Sequence, residues 1–303
     1  MRKFRFGVNQ TGGSDGMAYR DFARKVEDLG FSTLIMQDHL MQQFAPLPAL
    51  VAAGAATTRL RLGTIVLDND FRHPALLAKE AATVDVLVGG RLELGVGAGW
   101  MQRDYDMTGL VFGQPAERFE RLRETVAIIK AFFNEERTVD FHGKYYNITG
   151  LDAFPRSPQG RPPIMIGGRQ KRMISYAARE ADIVSISMLD RRAPDMPKPP
   201  SFAEKIGWVK AAAGDRFSTI EVHANTNNVQ VTDNARAAID ATAERLRIPA
   251  EDVLQSPANL IGSADAIVDQ LQAWRETCGL SYFVVPASQM ENIAPIVARL
   301  AGS

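Results

Sequence analysis

Asp38 and His39 stand side by side just after the apolar run 33–36, and this pairing could do chemistry. A neighbouring carboxylate can hold an imidazole in one tautomer and favour its protonated form, giving a proton donor near neutral pH. A second polar set, Asp68-Asn69-Asp70 then Arg72-His73-Pro74, follows the β-branched run 61–67. A third is the glycine-rich string Gly95-Val96-Gly97-Ala98-Gly99-Trp100, whose backbone could approach a flat ring closely. The fourth is Gly167-Gly168-Arg169-Gln170-Lys171-Arg172. Its two glycines free backbone N–H groups ahead of a helix N-terminus, and Arg169, Lys171 and Arg172 add positive charge. That combination reads as a phosphate clamp, against a plain basic surface turn.

Other strings carry less. The string after residue 95 lacks the third glycine of a dinucleotide fingerprint, and Asp104-Tyr105 follow it where an apolar helix should begin. Gly12-Gly13-Ser14-Asp15-Gly16 matches a nucleophile elbow in letters but reads as a glycine-rich turn. His73 stands just before a helix N-terminus, and it, His142 and His223 are expected to be structural. No HExxH string or paired histidine–carboxylate spacing occurs, so no metal site is expected.

These groups must be placed by secondary structure, and short β-rich runs alternate with helical stretches along the chain. Strands are expected over residues 4–10, 33–36, 61–67, 92–96, 163–166, 183–186, 221–231 and 282–285. Residues 115–133 put Phe119, Leu122, Val126, Ile129 and Phe133 at steps of three and four, one face of a helix. Residues 139–148 read as an inserted hairpin turning near Gly143. Residues 188–200, rich in Pro, Asp and Arg, read as a long loop and a candidate lid. Strands returning through helices pair in parallel, and eight such units favour a closed α/β (β/α)8 TIM barrel over a doubly wound sheet. No compositional break appears, so residues 1–303 are expected to form one domain. In such a barrel, active sites sit at the C-terminal strand ends, where all four polar sets fall.

The chain has 303 residues, 46% of them hydrophobic, and its 35 basic and 35 acidic side chains cancel. A neutral chain has no global field for nucleic acid or acidic membrane, so any bound anion must be held by local geometry. The single cysteine, Cys278, excludes an internal disulfide. No apolar run of about 18 residues occurs and no targeting signal is evident, so a cytoplasmic protein is expected.

The strings Gly63-Thr64-Ile65-Val66-Leu67, Arg72-His73-Pro74-Ala75 and Gly89-Gly90-Arg91-Leu92-Glu93-Leu94 through Trp100 resemble the bacterial luciferase-like superfamily. With Asp38-His39, Ile166-Gly167-Gly168 and Ala181-Asp182-Ile183-Val184, the chain looks most like its deazaflavin (coenzyme F420)-dependent oxidoreductases. The match covers residues 1–187 and returns over 260–285. It implies a luciferase-like barrel with insertions, holding the tricyclic ring in its C-terminal mouth. It further implies a non-proline cis peptide at Ile65–Val66, forming a bulge behind the ring. Ring and linker contacts map to Asp38, Asp68, Ala98 and Gly99, and phosphate contacts to Gly167 and Gly168, beside Arg169. Hydride transfer at C5 is implied, to or from a C=C, C=N or C=O carbon of a small organic substrate. His39, oriented by Asp38, would move the proton. The sugar-phosphate dehydrogenases of this family place a glutamate directly after Gly-Xaa-Gly, where this chain has Trp100. A less polar substrate beside Trp100 and Phe44 is therefore expected. The alternatives are an FMN-dependent, reductase-assisted monooxygenase of the same fold, and a barrel that binds a flavin-like ligand without turnover. The resemblance also suggests a homodimer.

Overall fold

The computed structural model describes residues 1–10, 12, 15–134, 136–188 and 199–303. The expected lid at 188–200 therefore lies almost wholly outside the described residues, as do Gly13 and Ser14 of the elbow-like string. The chain opens with β1 (Arg5–Asn9), α1 (Gly16–Asp28), β2 (Thr33–Met36) and α2 (Pro46–Ala56). It continues through β3 (Arg61–Thr64), β4 (Leu67–Asp68), α3 (Pro74–Leu87), β5 (Leu92–Gly97), α4 (Gln102–Thr108) and α5 (Pro115–Phe132). A hairpin of β6 (Thr138–His142) and β7 (Asn147–Asp152) precedes β8 (Ile164–Gly168), α6 (Lys171–Glu180), β9 (Ile183–Ile186) and α7 (Phe202–Ala213). Then come β10 (Glu221–Asn225), β11 (Asn228–Val231), α8 (Ala235–Leu246), α9 (Ala250–Leu254) and β12 (Asn259–Gly262). The chain closes with α10 (Ala264–Cys278), β13 (Leu280–Pro286) and α11 (Met290–Leu300).

The main sheet runs β3-β2-β1-β13-β10-β9-β8-β5-β4, and β3 also pairs with β5, which closes the ring. The strands β3 and β4 are one strand interrupted at Ile65–Val66, where the non-proline peptide is cis as the resemblance implied. Counted so, there are eight strands, and this is a parallel (β/α)8 barrel. Strands buried on both faces favour apolar side chains, and β2 and β5 are buried at every residue, with the one carboxylate, Glu93, paired to Arg61. The helices α2, α3 and α5 each begin on proline, which lacks the N–H that a first helical turn leaves unbonded.

The chain makes two compact units, interleaved in sequence. One comprises Thr11–Arg24 and Leu34–Ile166. Inside it Arg91 donates to the carbonyls of Gly54, Leu60 and Val88 and to Thr57 Oγ1, which ties the ends of α2 and α3 to the start of β3. The Glu124 carboxylate on α5 accepts N–H bonds from Lys144, Tyr145 and Tyr146, pinning the hairpin turn. Residues 101–114, between β5 and α5, contain α4, which ends on left-handed Gly109.

The other unit comprises Met1–Gln10, Lys25–Thr33 and Gly167–Ser303. The run expected as one strand over 221–231 is two. The Thr226 N–H still donates to Val284 O of β13; the backbone then departs, with the Asn227 and Asn228 N–H groups on Ala258 O, and β11 pairs in parallel with β12. The short helix α9 and strand β12 were not anticipated. They complete a small satellite core of Ile239, Val253 and Ile261.

Candidate active site

His39 leaves the end of β2 with its imidazole largely buried. Its Nδ1 lies 2.7 Å from Oδ2 of Asp104, on the first turn of α4, and the other oxygen of Asp104 accepts the Leu40 N–H at 3.3 Å. Asp104 is 2% exposed. A carboxylate on Nδ1 makes that nitrogen the donor, so in the neutral ring Nε2 is the acceptor. Nε2 has no hydrogen-bond partner among the described residues. The Trp100 ring meets His39 edge-on, with centroids 5.7 Å apart.

Asp38 does not orient His39, contrary to the expectation from adjacency. Its carboxylate accepts a fork from Arg72 at 2.5 and 3.1 Å and the Asp68 N–H at 3.0 Å. Successive residues leaving a strand face opposite sides, so neighbours in sequence need not meet. Asp38 thus ties the ends of two barrel strands together and neutralises Arg72.

Below it lies a second buried network. Asp68 Oδ1 accepts from the Asp70 N–H and from the Tyr105 hydroxyl, and that hydroxyl also reaches Asp70 Oδ2 at 3.0 Å. Arg121 from α5 clamps Asp70 with two bonds of 2.8 and 2.7 Å. Among the described residues no cation pairs with Asp68. Burial pushes its carboxyl up to about 6, and the charges of Asp70 and Asp38 add to this against the two hydrogen bonds it accepts. Burial, followed by the adjoining carboxylates, pushes the Tyr105 phenol well up, so it stays a donor. Gly99, at φ +70°, is required here. A Cβ on it would stand 2.2 Å from the Tyr105 hydroxyl and 2.4 Å from Asp68 Oδ2. Gly97 is likewise pressed against Val66, 2.5 Å from where its Cβ would be. Close packing of these strands therefore explains the glycines without any ring.

A cavity of about 440 Å3 opens beside His39. Its wall combines Asp38, His39, Gln43, Arg72 and Thr108 with Leu40, Met41, Ala45, Pro46, Phe71 and Leu110. Neither Phe44 nor Trp100 is in that wall. Phe44 packs edge-on against Tyr19 at 5.5 Å, and Trp100 is 71% exposed beside His39. Ile65 is buried, while Val66, Ala98 and Gly99 are half-buried at the strand ends.

In the other unit, β8 ends on Gly168, whose carbonyl accepts the Ser187 N–H at 2.9 Å. A Cβ there would meet Met173 at 2.7 Å, so packing alone demands this glycine. Arg169, Lys171 and Arg172 are exposed. Buried Lys205 donates to Ser187 O at 2.7 Å, and burial with the nearby Arg169 charge pushes its ammonium down to about 8.

The model of the luciferase-like monooxygenase family matches residues 3–280. The chain belongs to that family. An F420-dependent glucose-6-phosphate dehydrogenase of Nocardia farcinica is 32% identical over 264 residues, covering 82% of this chain and 76% of that protein. The corresponding protein of Microbacterium testaceum is 36% identical over 170 residues, covering 54% of this chain and 50% of its own length. The chain thus spans about half the length of some curated relatives it matches. The structure of the coenzyme F420-dependent tetrahydromethanopterin reductase from Methanopyrus kandleri covers 99% of both chains at 20% identity, with a TM-score of 0.77.

Within this luciferase-like barrel, sequence reasoning gave no role to Asp104, Tyr105, Arg121 or Lys205, and it named Arg72 without its partner Asp38. The pair Asp104-Tyr105 was visible only as an objection to a dinucleotide site. An aspartate and an aromatic in the first turn of an unrecognised helix were the available signal. His73 accepts the Ala75 N–H as a helix cap, His223 is buried against Ser185 and Tyr282, and His142 is exposed on the hairpin. Among the described residues no group of acidic, histidine or cysteine side chains could hold a metal, and no helix is long and apolar enough to cross a membrane.

Proposed function

We propose that this chain is a coenzyme F420-dependent oxidoreductase in which His39 Nε2 exchanges a proton with the substrate and Asp104 positions the ring. The observation that carries this reading is the His39–Asp104 pair with Nε2 unpartnered on the wall of a cavity. The curated relatives, named F420-dependent, support the choice of coenzyme. When bound, the deazaflavin supplies or accepts a hydride at its C5.

The residues present fit the ring of such a coenzyme. Asp68 Oδ2 has no partner among the described residues, and the half-buried Val66, Ala98 and Gly99 form the adjoining strand ends. A carboxylate and open backbone suit the N–H and C=O edge of a pyrimidine ring. Asp38 serves by holding Arg72 and the Asp68 backbone in place. The Gly167-Gly168-Arg169 turn remains our proposal for the phosphate. The His39 ring, locked by Asp104, offers Nε2–H to a carbonyl oxygen in reduction and takes a proton from a hydroxyl in oxidation. The Asp104 carboxylate at 2.7 Å stabilises the imidazolium in either direction.

Titration of the apo-protein with oxidised F420 and with FMN, followed by fluorescence, tests the coenzyme. Micromolar binding of F420 with weak FMN binding is expected. The second reading, an FMN-dependent monooxygenase, draws on the family's description, and a preference for FMN with oxygen-dependent turnover would establish it.

A further inference from the structure

The cavity beside His39 has a distinctive charge balance. Its wall contains one guanidinium, Arg72, whose charge Asp38 balances through one bond from each terminal nitrogen. The imidazole is claimed at Nδ1 by Asp104. The Gln43 amide donates to Gln37 O, and the Thr108 hydroxyl donates within α4 to the carbonyls of Asp104 and Tyr105. His39 Nε2, the Gln43 carbonyl oxygen and the Arg72 and Gln43 N–H groups outside these bonds are left for a ligand. The remaining wall is aliphatic and aromatic, with Leu40, Met41, Phe71 and Leu110 as its large members. Leu40, Met41 and Leu110 are each more than 40% exposed, and Trp100 adds a further exposed ring against His39. Large apolar side chains clustered in the open at a cavity lose water only when an apolar body lies on them.

We propose that this cavity takes an uncharged, largely apolar substrate carrying one ketone, enone or alcohol oxygen, which meets His39 Nε2, and that it does not take a sugar phosphate. This substrate class rests on the oxidoreductase reading and gives it a chemical direction that differs from the names of the curated relatives. A phosphate dianion needs uncompensated cations, because desolvating such a charge without them costs far more than the contact returns. The described wall offers none, because Asp38 already balances its one guanidinium. A single polar atom on an apolar body matches it: one hydrogen bond at Nε2 and hydrophobic contact elsewhere.

The test is binding to the apo-protein by saturation-transfer NMR, using benzalacetone as an uncharged aryl enone and glucose 6-phosphate as the phosphorylated alternative. Leu110→Lys and Met41→Lys place a charge in the exposed wall and leave the buried core alone. The expected result is saturation transfer to benzalacetone, weakened at least about fivefold in affinity by each variant, with no transfer to glucose 6-phosphate. Glucose 6-phosphate binding as tightly as benzalacetone would overturn the proposal. So would benzalacetone binding that neither variant alters, or no benzalacetone binding. Titrating the same samples with F420 separates the two ideas. A protein that binds the enone in this cavity but never F420 sinks the coenzyme reading and leaves the cavity's preference standing.

Discussion

At the scale of single residues, the division of labour between two aspartates is the main result. Asp104 holds the His39 tautomer, whereas Asp38 holds Arg72. Asp104→Asn should therefore lower turnover on the order of a hundredfold or more while leaving the dissociation constant for F420 within about twofold. Asp38→Asn should instead show mainly in urea unfolding, losing about 3 kcal/mol as Arg72 is left without its counter-charge. His39→Gln, if it kept full single-turnover hydride transfer with coenzyme bound, would falsify the proton role. Asp68 makes a different prediction, through pH. Its folded carboxyl is raised to about 6 from an ordinary value of 3.8, so between those values the folded state binds more protons than the unfolded chain. Stability must then fall as pH rises through that window, by on the order of 3 kcal/mol. Asp68→Asn keeps an oxygen for the Tyr105 hydroxyl but has no proton to lose. Unfolding curves at pH 4 and pH 7 should show the variant gaining on the native protein by that order.

At the scale of elements, short pieces attached to the barrel do most of the positioning. The seven-residue α4 delivers both Asp104 to the histidine and Tyr105 to the acidic network. Its place depends on Gly99, where a side chain would collide with that network. Gly99→Ala adds a disfavoured φ to a clash with buried oxygens, and a loss of at least about 2 kcal/mol in thermal or urea unfolding is expected. The hairpin is held by another single group, the Glu124 carboxylate beneath three backbone N–H donors. Glu124→Ala should raise amide exchange at Lys144, Tyr145 and Tyr146 by about tenfold or more. The barrel strands should keep their protection, because local opening of an edge hairpin does not need global unfolding.

At the scale of the whole molecule, balanced charge is the governing quantity. The basic and acidic side chains are equal in number and the isoelectric point lies near 6.9. With no net repulsion between copies, solubility in low salt should pass through a minimum near pH 7 and rise on either side. Light scattering across a pH series at fixed concentration would show it. The same balance leaves electrostatics to local pairs such as Arg72–Asp38, Arg121–Asp70 and Arg61–Glu93, each with a largely buried carboxylate.

The sequence by itself determined the eight parallel strands, most of the helices and the rim on which the polar groups gather. Strand burial and helical spacing are written locally, in runs such as Leu92–Gly97 and the apolar face of Pro115–Phe132. It also determined that His39 would have a carboxylate partner, but named the wrong one. Tertiary structure chose Asp104, 65 residues further along, and sent Asp38 to Arg72, 34 residues away. It also split the run 221–231 between two sheets, because past Thr226 the Asn227 and Asn228 N–H groups turn to Ala258 O and β11 pairs with β12. Hydrogen-bond pairing depends on where side chains point after the chain has folded. Adjacency in sequence carries no such direction.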